Sequence, residues 1–203
     1  MKKYAVLHEP GDIVTLAGTR FVVLDVERRG SLPDSLFLLA LEPVGTSEFG
    51  SSNNYAESDL KKAVDKWLED MDKRGLDNAK LIPREIDLTT LDGSGCYGKL
   101  SVKAAPLTLD EAREYADIIP NAERWCWLAT GWSGPSKSDG DLALYVNSNG
   151  GWNGNICSYS DGIRPALKAP SILFEDSEAG LDLSKIPTDD LLQEIHRRLA
   201  EKA

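Results

Sequence analysis

Gly93, Gly95 and Gly98 spell G-x-G-x-x-G after a predicted strand, the spacing with which a glycine-rich turn approaches a pyrophosphate. That chemistry needs a helix to start at once, so that its N-terminal N–H groups face the phosphate oxygens. Here "KLSVKAAP" follows, a strand-like stretch ending in Pro106. The glycines therefore read as a turn, and no cofactor is expected. The histidines are His8, near the N-terminus, and His196, beside Arg197. Neither has a nucleophile or an acid at a spacing that would make it a general base. Asp139, Asp141, Asn147 and Asn149 suggest a calcium loop, which requires Gly at its sixth position and a carboxylate at its twelfth. Counted from Asp139, those positions are Leu144 and Gly150, and the pattern fails. Cys96, Cys126 and Cys157 are odd in number and lack metal-ligand spacing, so they read as free, mostly buried thiols. No catalytic residue and no metal ligand set is expected.

The tryptophans say more. Trp67 falls on a helical stripe and is expected in the core. Trp125 and Trp127 alternate along a predicted strand, so both should face the same way, inward. Trp132 and Trp152 sit in loop-like sequence, either as anchors over the core or as parts of an exposed surface. From Asn147 to Ser160 the chain is made almost wholly of Asn, Ser, Gly, Tyr and Trp. Antibody loops use the same mixture, because Tyr and Trp give large contact area at small entropic cost while Ser, Gly and Asn give adaptable hydrogen bonds. The candidate binding residues are Trp132, Asn147, Asn149, Trp152, Asn153, Asn155, Ser158 and Tyr159. A merely hydrated structural loop would have the same composition.

The elements around this segment are short. "DIVTLAG", "TRFVVLDV" with Gly18 at the turn, and "SLFLLALEPV" beyond the polar break "ERRGSLPD" form a predicted antiparallel meander. Leu60, Ala63, Val64, Trp67, Leu68 and Met71 then follow helical periodicity, with Ser58 as N-cap and Gly75 closing the helix. Thr108 and Glu111 have capping-box spacing, which predicts a second helix from Leu109 to about Ile118, before Pro120. "WCWLAT", "DLALYV" and "GIRPAL" read as strands between long Gly/Ser/Asn connections. The predicted domain spans residues 1–168. Residues 169–187 read as a linker, and 188–203 as an amphipathic C-terminal helix capped by Thr188, with Leu191, Leu192, Ile195 and Leu199 as its stripe. That stripe could pack on its own domain, dock onto a partner or make a homo-oligomer.

The chain has 203 residues and a net charge of −10, with 41% hydrophobic and 28% charged residues. The negative field, with no basic stripe against it, argues against nucleic acid as a partner. No apolar run approaches the roughly 20 residues that span a bilayer, so membrane insertion is not expected. The N-terminus lacks the apolar core and cleavage site of a signal peptide.

The blocks "SSNNYAESDLKKAVDKWLEDM", "IDLTTLDG", "PLTLDEAREYADIIP", "WCWLATGWSGPS" and "YVNSNGGWNGN…SDGIRPAL" occur in the order that marks a bacterial and phage family, domain of unknown function 6273. The chain resembles that family from about Val14 to Lys168. Ala129 stands where many relatives have Arg, and Cys126 where Trp is common. The family is similar to the C-type-lectin-like fold, as are the ligand-binding variable proteins made by diversity-generating retroelements. The resemblance implies an α+β domain with two helices packed on small antiparallel sheets and long irregular loops above them. It also implies a non-enzymatic ligand- or receptor-binding module of phage or mobile-element origin, taking a protein or glycan ligand. Such a module would be made in the bacterial cytoplasm and could be carried on a virion. The alternatives are a structural or assembly protein of a phage particle, or an enzyme similar to formylglycine-generating oxidases, whose cysteine pair has no counterpart here. Calcium-dependent lectins carry Trp-Asn-Asp at their sugar site; this chain has Trp152, Asn153 and Gly154.

Overall fold

A computed structural model describes residues 8–29 and 32–174, with 188, 189, 192, 196 and 197 beyond them. The meander forms as expected. Strands β1 (Ile13–Leu16) and β2 (Thr19–Arg29) are joined by Ala17 and Gly18, both at positive φ (46° and 76°). Two such residues make the hairpin turn whose twist matches that of the strands. Strand β3 (Leu32–Ala40) pairs antiparallel with β2, and the strands extend through most of the expected polar break.

The run Phe21-Val22-Val23-Leu24 is buried at every residue because the sheet has a core on each face. Phe21 and Val23 join one apolar cluster, Val22 and Leu24 the other. Helix α1 (Asp59–Lys73) covers the first face with Leu60, Val64, Leu68 and Met71, and Ser58 Oγ caps it by accepting from Lys61 N–H at 2.9 Å. Trp67 is only half-buried, its ring 6.4 Å from that of Phe21. Helix α2 (Leu109–Glu114) covers the second face with Leu109 and Ala112. It is shorter than expected and continues as turns. Its capping box is complete: Thr108 Oγ1 accepts from Glu111 N–H, and the Glu111 carboxylate accepts from Thr108 N–H.

Strand β4 (Gly45–Glu48) precedes α1, and the hairpin of β5 (Arg84–Asp87) and β6 (Lys99–Val102) follows it. The remaining strands are β7 (Ala104–Ala105), β8 (Cys126–Gly131), β9 (Leu142–Val146), β10 (Trp152–Ile156), β11 (Ser160–Ile163) and β12 (Ala166–Pro170). One sheet runs β1-β2-β3-β12-β7 and the other β10-β9-β8-β11-β4, each five-stranded. The molecule is thus a mixed, sheet-rich α+β structure.

"GIRPAL" is not one strand. Arg164 and Pro165 carry the chain from the second sheet to the first, splitting it into β11 and β12. Pro165 has no N–H to give a ladder. Arg164 instead donates to Ala40 O (2.8 Å) and Leu41 O (3.0 Å). The packed unit also continues past Lys168: β12 runs to Pro170, and Phe174 is buried in the core, so residues 169–174 are not linker. Thr188, Asp189, Leu192, His196 and Arg197 are all helical, which puts Thr188 within the helix rather than ahead of it as a cap. Residues 175–187 and most of the stripe lie outside the described residues.

Candidate functional site

The Asn-rich segment, expected as a long loop, is a β-hairpin. Strand β10 pairs antiparallel with β9 in the register Trp152↔Val146 to Ile156↔Leu142, and forms the edge of its sheet. The turn from Asn147 to Gly151 is built by asparagine. Asn147 N–H donates to Gly151 O (2.8 Å), and Gly150, at φ +86°, donates from N–H to Asn147 O (3.1 Å). Asn147 Oδ1 accepts from the N–H groups of Asn149 (3.1 Å) and Gly151 (2.8 Å), and Asn149 Oδ1 also accepts from Gly151 N–H (3.2 Å). Gly suits position 150 because it takes positive φ without a steric penalty, and Asn suits the turn because a short amide can bond its own backbone.

The same economy holds on the strand. Gly151 and Cys157 bracket β10 with bonds to the residues that flank β9 on either side, Asn147 N–H to Gly151 O and Cys157 N–H to Asp141 O. Antiparallel alternation then turns the backbone groups of Trp152, Gly154 and Ile156 outward, away from β9. Two of these outward N–H groups are taken: Asn153 Oδ1 accepts from Gly154 N–H (2.8 Å) and Asn155 Oδ1 from Ile156 N–H (3.0 Å). Asn155 Nδ2 also donates to Asp161 Oδ2 (2.8 Å), tying the edge to β11. An open edge invites pairing with another strand, and these amides blunt it.

Apolar groups occupy the rest of the surface. Trp152 is 42% exposed, Ile156 39% and Tyr159 55%. Ser158 is exposed in the turn between β10 and β11. Trp132 is half-buried beneath the strand, and Gly154 is required above it, since a Cβ there would lie 2.5 Å from the indole Cε3. Trp152 and Ile156, at ~3.4 Å per residue along the strand, are about 14 Å apart. The eight expected residues are spread over one hairpin and the turns that flank it.

Two hollows adjoin it. On one side Trp152 walls an apolar cavity of about 90 Å³ with Leu107, Ala112, Ile119, Leu128 and Val146. The Arg113 guanidinium lies 5.6 Å from the Trp152 ring centroid and holds that wall from the helix side. On the other side a polar hollow of about 320 Å³ is lined by Glu123, Arg124, Trp125, Ser148, Ser160 and Asp161.

Trp125 departs from the inward placement that alternation predicts. It stays on the side of Trp127, since its ring stacks on Tyr145 (4.8 Å, 17°), the residue paired with Trp127. It is nevertheless 46% exposed, because the core ends at Tyr145 and β8 starts only at Cys126. Trp127 is buried and donates from Nε1 to Ser47 O at 2.9 Å. The alternation was readable in the sequence; the edge of the core was not. Sequence patterns did not mark Ile156 or Arg113 either, although Ile156 shares a strand face with Trp152.

Among the described residues no group of three His, Cys, Asp or Glu side chains converges as a metal site, and no helix is long and apolar enough to cross a membrane. His8 packs edge-on against Phe174, 3.9 Å from Asp12, and burial holds its pKa below the ordinary value against the pull of that carboxylate. The Cys126 thiol is pushed up to about 11 and that of Cys157 to about 12, in both cases first by burial. The thiolate is the reactive form, so both should be inert at neutral pH, whereas Cys96 is exposed. Titration of the native protein with a chromogenic disulfide reagent should count one thiol, and all three after denaturation; three fast native thiols would contradict this burial.

Comparison with protein-family models, curated proteins and solved structures finds no match for the chain.

Proposed function

We propose that the protein is a non-enzymatic binding module whose recognition surface is the β9–β10 hairpin with the turn that follows it. The observation that carries this reading is the exposure of Trp152 and Ile156 on an edge hairpin, and of Tyr159 in the turn that follows it, while the hairpin's asparagines are already committed to its own backbone. Large apolar groups left exposed beside a hollow are the usual source of binding energy, while a polar frame holds them in place. The ligand is a protein or a glycan, met mainly through these rings. Resemblance to the family of domain of unknown function 6273, and through it to the C-type-lectin-like fold and the variable proteins of diversity-generating retroelements, supports a binding role and a phage or mobile-element origin.

The first half of the test needs no ligand. Trp152→Ala and Tyr159→Ala should each unfold in denaturant within about 0.5 kcal/mol of wild type, the range for exposed positions. Trp127→Ala, from the core, should lose about 3–5 kcal/mol. Wild type is then screened on glycan and peptide arrays, where the two exposed-ring variants should weaken any hit by about 2 kcal/mol or more. Losses of several kcal/mol of stability in both variants would make the hairpin a lid on the core and end the proposal.

A further inference from the structure

Two Asn-Gly dipeptides lie in the hairpin, Asn149-Gly150 in its turn and Asn153-Gly154 on its outer strand. We propose that Asn153 is a site of spontaneous deamidation, and that the fold favours it over Asn149. The inference is independent of what the module binds.

The chemistry requires only water and base. The Gly154 amide loses its proton and its nitrogen attacks Asn153 Cγ. The Cγ–Nδ2 bond breaks, the departing nitrogen takes up a proton, and ammonia leaves a five-membered succinimide. Water then opens this ring at either carbonyl. One opening gives aspartate; the other gives isoaspartate, in which the main chain runs through Cγ.

Three features direct the reaction to Asn153. Gly154 has no Cβ to hinder closure of the ring. Its N–H points away from β9 and donates only to the side-chain Oδ1 of Asn153 at 2.8 Å, a bond that rotation of that side chain releases without opening the β9–β10 ladder. Asn153 itself is exposed, on the outer strand of the sheet, where local opening costs least. Asn149 shares the dipeptide and the exposure, but the Gly150 N–H is committed to Asn147 O at 3.1 Å and its residue is held at φ +86° by the turn. Proton loss there must first break the bond that closes the hairpin.

Conversion would matter to the surface. Aspartate adds a negative charge between Trp152 and Asn155. Isoaspartate also lengthens the main chain by one carbon and moves Gly154 off the Trp132 ring, to which it is closely fitted.

The full-length protein is held in mildly alkaline buffer, folded and in parallel in denaturant, and sampled by peptide mapping with mass spectrometry and isoaspartate-specific methylation. In the folded protein, conversion at Asn153 should run several-fold ahead of that at Asn149, while in the denatured chain the two should proceed at similar rates. Asn153→Gln should abolish the faster signal and leave the Asn149 signal in place. Faster conversion at Asn149 in the folded protein would overturn the inference. So would a folded protein intact at Asn153 under conditions where the denatured chain reacts there.

Discussion

Arg84→Ala should lower the stability of the fold by about 3–5 kcal/mol, the cost of breaking a buried ion pair by removing one partner. The Arg84 side chain is 8% exposed, and its guanidinium pairs through Nη1 with the Glu111 carboxylate. Nη2 donates to Ala105 O (3.1 Å) and Pro106 O (3.3 Å), and the group lies 5.1 Å from the Phe37 ring centroid. A single side chain thus joins β5, the β7–α2 connection, β3 and the capping box of α2. Burial pulls the Arg84 pKa down and the facing Glu111 charge opposes that pull; an arginine starts far above neutrality, so it stays charged. Removal leaves Glu111 facing a cavity, with two backbone carbonyls short of a donor. Arg84→Lys should recover only part of the loss, because an ammonium cannot bridge the carboxylate and both carbonyls as a planar fork does. Denaturant melting of the two variants measures this. A loss under about 1 kcal/mol for Arg84→Ala, within the range of exposed pairs, would show the pair to be only a surface contact.

Asn53→Ala should cost about 3 kcal/mol or more, although the residue is not part of the candidate binding surface. Asn53 is fully buried. Its Nδ2 donates to Ser133 O (2.9 Å) and Leu142 O (3.0 Å), and its Oδ1 accepts from Tyr97 Oη–H (2.6 Å). Each buried group left unpaired costs roughly 1–3 kcal/mol, and a satisfied network is lost as a whole. Gly131 is shaped to this residue, since a Cβ there would come within 2.9 Å of Asn53 Cγ. Asn53→Asp should be no better, because it keeps the acceptor, loses both donors and buries a carboxyl. The functional consequence runs through Leu142, the first residue of β9. Amide hydrogen exchange along β9 and β10 should accelerate in Asn53→Ala more than exchange in β2 and β3. A uniform acceleration across both sheets would mean that Asn53 supports the fold at large rather than the hairpin.

Much of the scaffold could be read from short-range patterns. Ser58 and Thr108 cap the helices they precede, the stripe from Leu60 to Met71 faces the core, and Gly18 sits in the tight turn. These features depend on neighbours within a few residues, so local spacing carries them. The aromatic, asparagine-rich segment was also visible along the chain, but its composition pointed two ways. Asn is equally suited to meeting a ligand and to bonding its own backbone, and only the hairpin register shows that Asn147, Asn149, Asn153 and Asn155 do the second. Trp125 shows the same limit: its side of the sheet follows from alternation, whereas its exposure follows from where the core stops.

Local patterns in the chain were enough to place the capped helices, the opening meander and an aromatic, asparagine-rich segment, whereas the α+β class was what the family resemblance implied. Periodicity, caps and turn residues act over distances of one or two turns of chain, so short-range spacing carries them. The tertiary structure alone decided which of those aromatics reach solvent, that the segment is an edge strand rather than a loop, and that "GIRPAL" crosses between sheets. It also decided the roles of Asn53 and Arg84, whose partners lie between 21 and 89 residues away. Burial and long-range hydrogen bonding depend on which segments meet, and a single sequence carries no local mark of that meeting.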